Sequence, residues 1–233
     1  MAIKDLCLAT RKGRPVDTPC LGYMELSQDT KLFLHLDPPH QQLPRPINLE
    51  SFLSSTPRRD TRLRLGLAIV HSVLNLGPDW IPDTLSKNTV VVLRTEEASG
   101  VSASCQPYIF YASIHAALQK NALKSQESAK KARSSLLALG ILLLELLFRE
   151  TLEQQSFRVE YLSNGQPNEF TDLCTALRWQ KKVEGEFGDK LASAIWSCVQ
   201  CEFDSPNLER LAFVHAVLAM IVKPIEEFLQ AYS

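Results

Sequence analysis

Few residues in this chain have both the type and the spacing for chemistry. Cys198-Val-Gln-Cys201 carries the spacing of a redox pair or of half a zinc site. Zinc needs two more ligands at matching spacing, and none accompanies the pair, since His215 stands alone in a helical pattern. The two thiols are therefore read as residues of a core or its boundary. A Ser-His-Asp hydrolase would present its nucleophile on a Gly-x-Ser-x-Gly elbow, which the sequence lacks. His71 and His215 lie in apolar helical stretches and are assigned to buried or boundary positions rather than to proton transfer. Arg58, Arg59, Arg62 and Arg64 could form a phosphate-binding patch, but in a chain of neutral balance they read better as the solvated face of a helix. Glu145 is the one polar side chain in LLALGILLLELLF, Leu136 to Phe148. A carboxylate there has to be hydrogen-bonded or paired with an Arg or Lys, because burying an unpaired charge is strongly unfavourable.

The run around Glu145 also organises the elements. It is shorter than the roughly 20 apolar residues that cross a bilayer, and Lys130, Lys131, Arg133, Arg149 and Glu150 flank it. A helix apolar on nearly every side has to be surrounded by other elements, so the run is expected to be the central helix of a soluble domain. Formal net charge is -1, from 25 Lys plus Arg against 26 Asp plus Glu, which disfavours nucleic acid and anionic membranes as partners. Six scattered cysteines and a charged start without a secretory apolar region fit thiols in a reducing, cytoplasmic setting.

Taken in order, residues 3–9 suggest a short helix. Cys20 to Leu26 and Lys31 to Leu36 are β-capable runs around a four-residue polar turn, a hairpin signature. Prolines 38, 39, 44 and 46 make the next stretch an extended linker. INLESFLSS reads as a short helix with Asn48 as N-cap, and Thr56 with Pro57 as the cap and first residue of a longer one. In that longer helix Leu63, Leu67, Val70 and Leu74 share a face, widened by Ile69 and Val73. NTVVVLR, Asn88 to Arg94, reads as a buried strand, residues 95–106 as a mobile loop, 107–111 as a short extended segment, 114–123 as a helix and 124–128 as a connector. Residues 156–170 read as a loop, followed by helices over 172–184 and 188–201. Ser205 and Pro206 are expected to open a last helix to about Ala231, with a core stripe of Leu208, Leu211, Val214, Leu218, Ile221, Ile225 and Leu229 and a kink imposed by Pro224.

This succession resembles a protein kinase that has lost its beginning. CLGYMELSQDTKLFLHLDPP resembles the last two small-lobe strands entering the hinge, INLESFLSS the helix after it, and PRRDTRLRLGLAIVHSVLNLG the long helix before the catalytic loop. SSLLALGILLLELLF is similar to the buried large-lobe helix, with Gly140 and Glu145 at its usual spacing. The chain also looks like an uncharacterised family of fungal domains with a degenerate kinase-like large lobe. The resemblance implies a mainly α fold with a small β part: a small-lobe remnant over 1–40 and a helical large lobe over 41–233.

A kinase needs a Gly-rich loop, a strand lysine with its glutamate, a catalytic Asp with an Asn five residues on, and a metal-binding Asp-Phe-Gly. Only 19 residues precede the strand pair, with one glycine, Gly13. Asp83 and Asn88 have the catalytic-loop spacing, but Ile81 and Pro82 replace His-Arg and Lys87 is not where the loop lysine usually stands. Residues 95–106 contain no aspartate, Ala-Pro-Glu is missing, and Ser135 occupies the place of the aspartate that anchors the catalytic loop. Positioning and metal-assisted charge neutralisation supply most of phosphoryl-transfer catalysis. The expectation is a catalytically inactive, pseudokinase-like interaction or regulatory module without cofactor or metal, whose partner is a protein or a second copy. The alternative is an atypical nucleotide-binding phosphotransferase using Asp83 and Asn88.

Overall fold

A computed structural model describes residues 20–25, 31–35, 45–75, 85–95, 104–109, 125–168, 170–204, 206–207 and 210–231. The expected elements over 3–9, 37–44 and 114–123 lie outside these residues, as do Asp83, Ser205 and Leu208. The chain divides into two compact units, Met1–Pro44 and Arg45–Ser233. In the first, β1 (Cys20–Glu25) pairs antiparallel with β2 (Lys31–His35), Tyr23 opposite Phe33, with an irregularity between Cys20 and Gly22. This is the expected hairpin.

The second unit is mainly α with a small antiparallel sheet. Its sheet has the order β3 (Arg45–Asn48), β4 (Val90–Thr95), β5 (Ser104–Ile109). Val90 and Val92 are fully buried, as the β-branched run requires. Two expectations change here. Residues 45–48 form an edge strand instead of linker, a place that tolerates Pro46 because an edge strand can spare a donor. Thr95 and residues 104–106, expected within a loop, are in strands, since Thr95 pairs with Ser104 and Arg94 with Cys105, while 96–103 lie outside the described residues. Small and polar side chains hid a strand held by backbone pairing.

α1 (Leu49–Ser55) is capped by the Asn48 side chain, which accepts from the Ser51 N–H at 2.8 Å. α2 spans Arg59–Asn75 and starts later than the Thr56-Pro57 signal suggests. The Thr56 N–H instead closes α1 on Phe52 O. Arg62 is also not on the solvent side. It is 4% exposed and its Nε donates to Leu146 O at 2.6 Å, NH1 to Thr56 O at 2.9 Å and Pro57 O at 2.5 Å, and NH2 to Leu147 O at 3.3 Å. One guanidinium thus satisfies carbonyls left open at a helix end and in the turn between α1 and α2.

α3 (Ser125–Phe148) is the central helix. Leu136, Leu139, Leu142, Leu143, Leu144, Leu146 and Leu147 are buried, and α2, α4 (Thr171–Phe187) and α5 (Asp189–Gln200) pack around it. It starts at Ser125, within the expected connector. Among the described side chains before Leu136 the buried ones are small, Ser128, Ala132 and Ser135, so this face carries little apolar signal. Gly66 and Gly140 allow the close packing: a Cβ at Gly140 would stand 2.8 Å from Val199 Cγ2 and 3.0 Å from Cys198 Cβ. After α3, Arg149 takes a left-handed backbone (φ 60°) and its guanidinium donates to Leu53 O (2.8 Å) and Ser54 O at the end of α1. Residues 152–154 and 156–161 are short 3-10 turns, the second lying in the expected loop.

Trp179 is wholly buried beside Phe148, ring centroids 5.5 Å apart. The last helical stretch is α6 (Leu211–Val217), a π-helical segment (Leu218–Val222) and α7 (Lys223–Ala231). Its core positions are Phe213, Val217, Ile221, Ile225 and Leu229, while Leu211 is exposed. Steps of four overshoot an α-helical turn by about 40°. The wider π segment absorbs that drift, and it precedes Pro224, whose missing N–H already breaks the regular ladder.

Candidate functional site

Asn88, the described member of the Asp83 and Asn88 pair, stands in the turn before β4. Ser86 N–H donates to Thr89 Oγ1 at 2.9 Å and Thr89 N–H to Ser86 O at 3.0 Å, so the Ser and Thr side chains help fix the turn. Asn88 itself is exposed. It borders a cavity of about 470 Å³, floored by the turn over 85–88 and walled by α3 from 134 to 145, with Leu152, Glu153 and Asp172 completing the lining among the described residues.

Glu145 is the last α3 residue of this wall and is 2% exposed. Its Oε1 accepts from the Leu152 N–H at 2.9 Å and is 4.0 Å from Lys87 Nζ, the kind of partnership the sequence demands. Its Oε2, sealed from water, has no hydrogen-bond partner. Burial drives the carboxyl up to about 7, against the Leu152 N–H and the Lys87 charge, which both favour the anion. Lys87 is itself committed to Glu153, hydrogen-bonding its Oε2. Burial acts to raise Glu153, but that hydrogen bond and the Lys87 charge hold it below the usual carboxylate range. Asp172 is exposed and meets Arg158 NH1 at 2.7 Å.

A family model described as a domain of unknown function (DUF7580) matches residues 25–232. The chain belongs to this family. No curated protein and no solved structure matches it. The DUF7580 span includes every described residue that lines the cavity.

The other sequence candidates separate from this site. Cys198 is fully buried and its thiol is pushed far above the ordinary range, by burial and then by Cys201, so it is a poor nucleophile. Among the described residues no group of three His, Cys, Asp or Glu side chains could hold a metal ion. His71 is at the boundary, 3.8 Å from Glu226 Oε1, whereas His215 is exposed because the core stripe turns through Phe213 and Val217 instead. Arg58, Arg59 and Arg64 are exposed, with Arg59 4.5 Å from the centre of the Phe187 ring. No helix among the described residues is long and apolar enough to cross a membrane.

Sequence reasoning took Asn88 as a site candidate and Glu145 as a structural carboxylate in need of a partner, and it missed that Lys87, Glu153 and Asp172 line one cavity with them. The Lys87–Glu153 pair is separated by 66 residues, so no local spacing carries it.

Proposed function

We propose that this DUF7580 domain is a catalytically inactive, pseudokinase-like interaction or regulatory module that works in the cytoplasm through a protein partner. One observation carries the reading. Among the described residues the cavity at Asn88 is lined by three carboxylates, Glu145, Glu153 and Asp172, against one cation, Lys87, which Glu153 already binds, while Arg158 from outside the lining meets Asp172. Phosphoryl transfer needs cations or donors gathered on polyphosphate oxygens. A lining with the opposite balance repels them and suits an apolar or basic surface.

The alternative, an atypical phosphotransferase using Asp83 and Asn88, draws on Asn88 bordering an open cavity of ligand size. Thermal melting with and without magnesium and ATP decides between them, with Asp83→Ala and Asn88→Ala as controls. A ligand at 100 times its dissociation constant stabilises by about 2.7 kcal/mol, or roughly 2 to 4 °C for a domain of this size. No shift at saturating nucleotide is expected. A shift that disappears in either variant would overturn the inactive-module reading.

A further inference from the structure

We propose that the Glu145 cavity receives a basic side chain, an arginine or lysine flanked by apolar residues on a partner polypeptide, with the Glu145 carboxylate as its counter-charge. The inference rests on the module reading and names the chemistry of the partner. Its starting point is an imbalance within one carboxylate: Oε1 holds the Leu152 N–H at 2.9 Å, while Oε2 is buried with no donor. A buried acceptor left without a donor is costly, and a charged donor relieves that cost most.

The rest of the lining selects the donor. Leu137, Ala138 and Ile141 are half-buried residues on the cavity side of α3, suited to the aliphatic stem of a long basic side chain and to its apolar neighbours. Glu153 and Asp172 also line the cavity, paired with Lys87 and Arg158, so the acceptor left without a donor is Glu145 Oε2. A volume of about 470 Å³ holds a side chain with parts of its neighbours, more than a free amine needs.

The test titrates the full chain, with 15N-labelled backbone and 13C-labelled Glu carboxyls, with three probes: acetyl-Leu-Arg-Leu-amide, its citrulline counterpart and arginine amide. The work is done at about pH 8, above the Glu145 midpoint near 7. The arginine peptide is expected to shift the Leu152 amide and Glu145 carboxyl resonances and to bind at least about tenfold tighter than the citrulline peptide, which keeps the shape without the charge. Its affinity should fall toward pH 6 as Glu145 protonates among Lys87, Glu153, Glu50 and Asp172. Glu145→Gln should remove the preference for arginine over citrulline. Equal binding of the two peptides to the native chain, which needs no variant to fold, would overturn the proposal. So would undiminished arginine preference in Glu145→Gln. Arginine amide matching the peptide would overturn the polypeptide assignment in favour of a free amine. Magnesium-ATP is titrated in parallel: ATP moving the same resonances would sink the module reading itself, whereas indifference to peptide charge without an ATP response sinks only this inference.

Discussion

Two buried charges sit near the C-terminal end of the central helix, and the protein treats them in opposite ways. Arg62 reaches in from α2, and Nε, NH1 and NH2 all donate to backbone carbonyls, two of them the open ends of α3 at Leu146 and Leu147. Burial and then the charges of Arg149 and Arg59 lower its pKa, yet the carbonyl dipoles at a helix C-terminus favour a cation. Glu145, one residue before Leu146, has one oxygen engaged and the other idle, and burial carries its carboxyl to about 7. A charge whose donors are all used holds elements together. A charge half used is poised to bind or to titrate. The contrast separates a charge that is structural from one with an acceptor still unused.

The comparison breaks most visibly if Arg62 is removed. Arg62→Met keeps the apolar stem but leaves the carbonyls of Thr56, Pro57, Leu146 and Leu147 without their donor, so a loss of about 3 to 5 kcal/mol is expected by urea unfolding. That is a large share of the stability of an ordinary domain. A loss below about 1 kcal/mol would make Arg62 no more structural than a surface arginine.

Glu145 comes next, through pH. Its carboxyl is near 7 in the folded chain against an ordinary 4.5, so as pH rises the unfolded chain gives up this proton first. Between those values the folded state binds more protons, and stability falls as pH increases. The contribution is fully present below about 4.5 and is lost by the time pH has risen through about 7, roughly 3 kcal/mol in all. Urea unfolding of the native chain and of Glu145→Gln at about pH 5 and pH 8 isolates it, because the other carboxyls cancel in the difference. Parallel pH profiles for the two proteins would show that Glu145 ionises like an exposed residue.

How much of this was legible depended on whether the signal was local. The apolar run from Leu136 to Phe148 announced a buried helix, and Asn48 announced a cap, because each is written within a few residues. The start of α3 at Ser125 was not, since the buried residues described before Leu136, Ser128, Ala132 and Ser135, lack apolar bulk. Arg62 read as solvent-facing because four arginines in seven residues look like a solvated face, and its partners on α3 lie 84 and 85 residues away. Glu145 was legible as a problem needing a partner. Lys87 as part of the solution was not, because only the fold brings the turn before β4 beside α3.

A smaller effect tests whether α3 is rigid enough to present these charges differently. A Cβ at Gly140 would meet Val199 Cγ2 at 2.8 Å, Cys198 Cβ at 3.0 Å and the Val199 backbone nitrogen at 3.3 Å, so α5 itself would have to move. At Gly66 the contacts are the ends of Leu143 and Leu146, at 2.9 and 3.1 Å, and they can rotate away. Overpacking costs about 1 to 3 kcal/mol, partly offset by the better helix propensity of alanine, about 1 kcal/mol. Gly140→Ala should therefore lose about 1 to 2 kcal/mol and Gly66→Ala less, compared by thermal melting. Equal losses would mean that the approach of α5 to α3 is loose.

The least costly change lies at the far end of the arginine network. α1 is held at its C-terminus by Arg149, which donates to Leu53 O and Ser54 O, and at its N-terminus by the Asn48 cap on the Ser51 N–H. Asn48→Ala removes the cap and should cost about 1 kcal/mol. Because α1 is seven residues long, its persistence depends on these end contacts and on the buried Leu49, Phe52 and Leu53 rather than on propensity. In a double-mutant cycle Asn48→Ala and Arg62→Met should add, since they act on different ends of α1 and share no partner. A coupling above about 0.5 kcal/mol would show α1 and the Arg62 turn melting as one unit, and would place the cap inside the arginine-held structure.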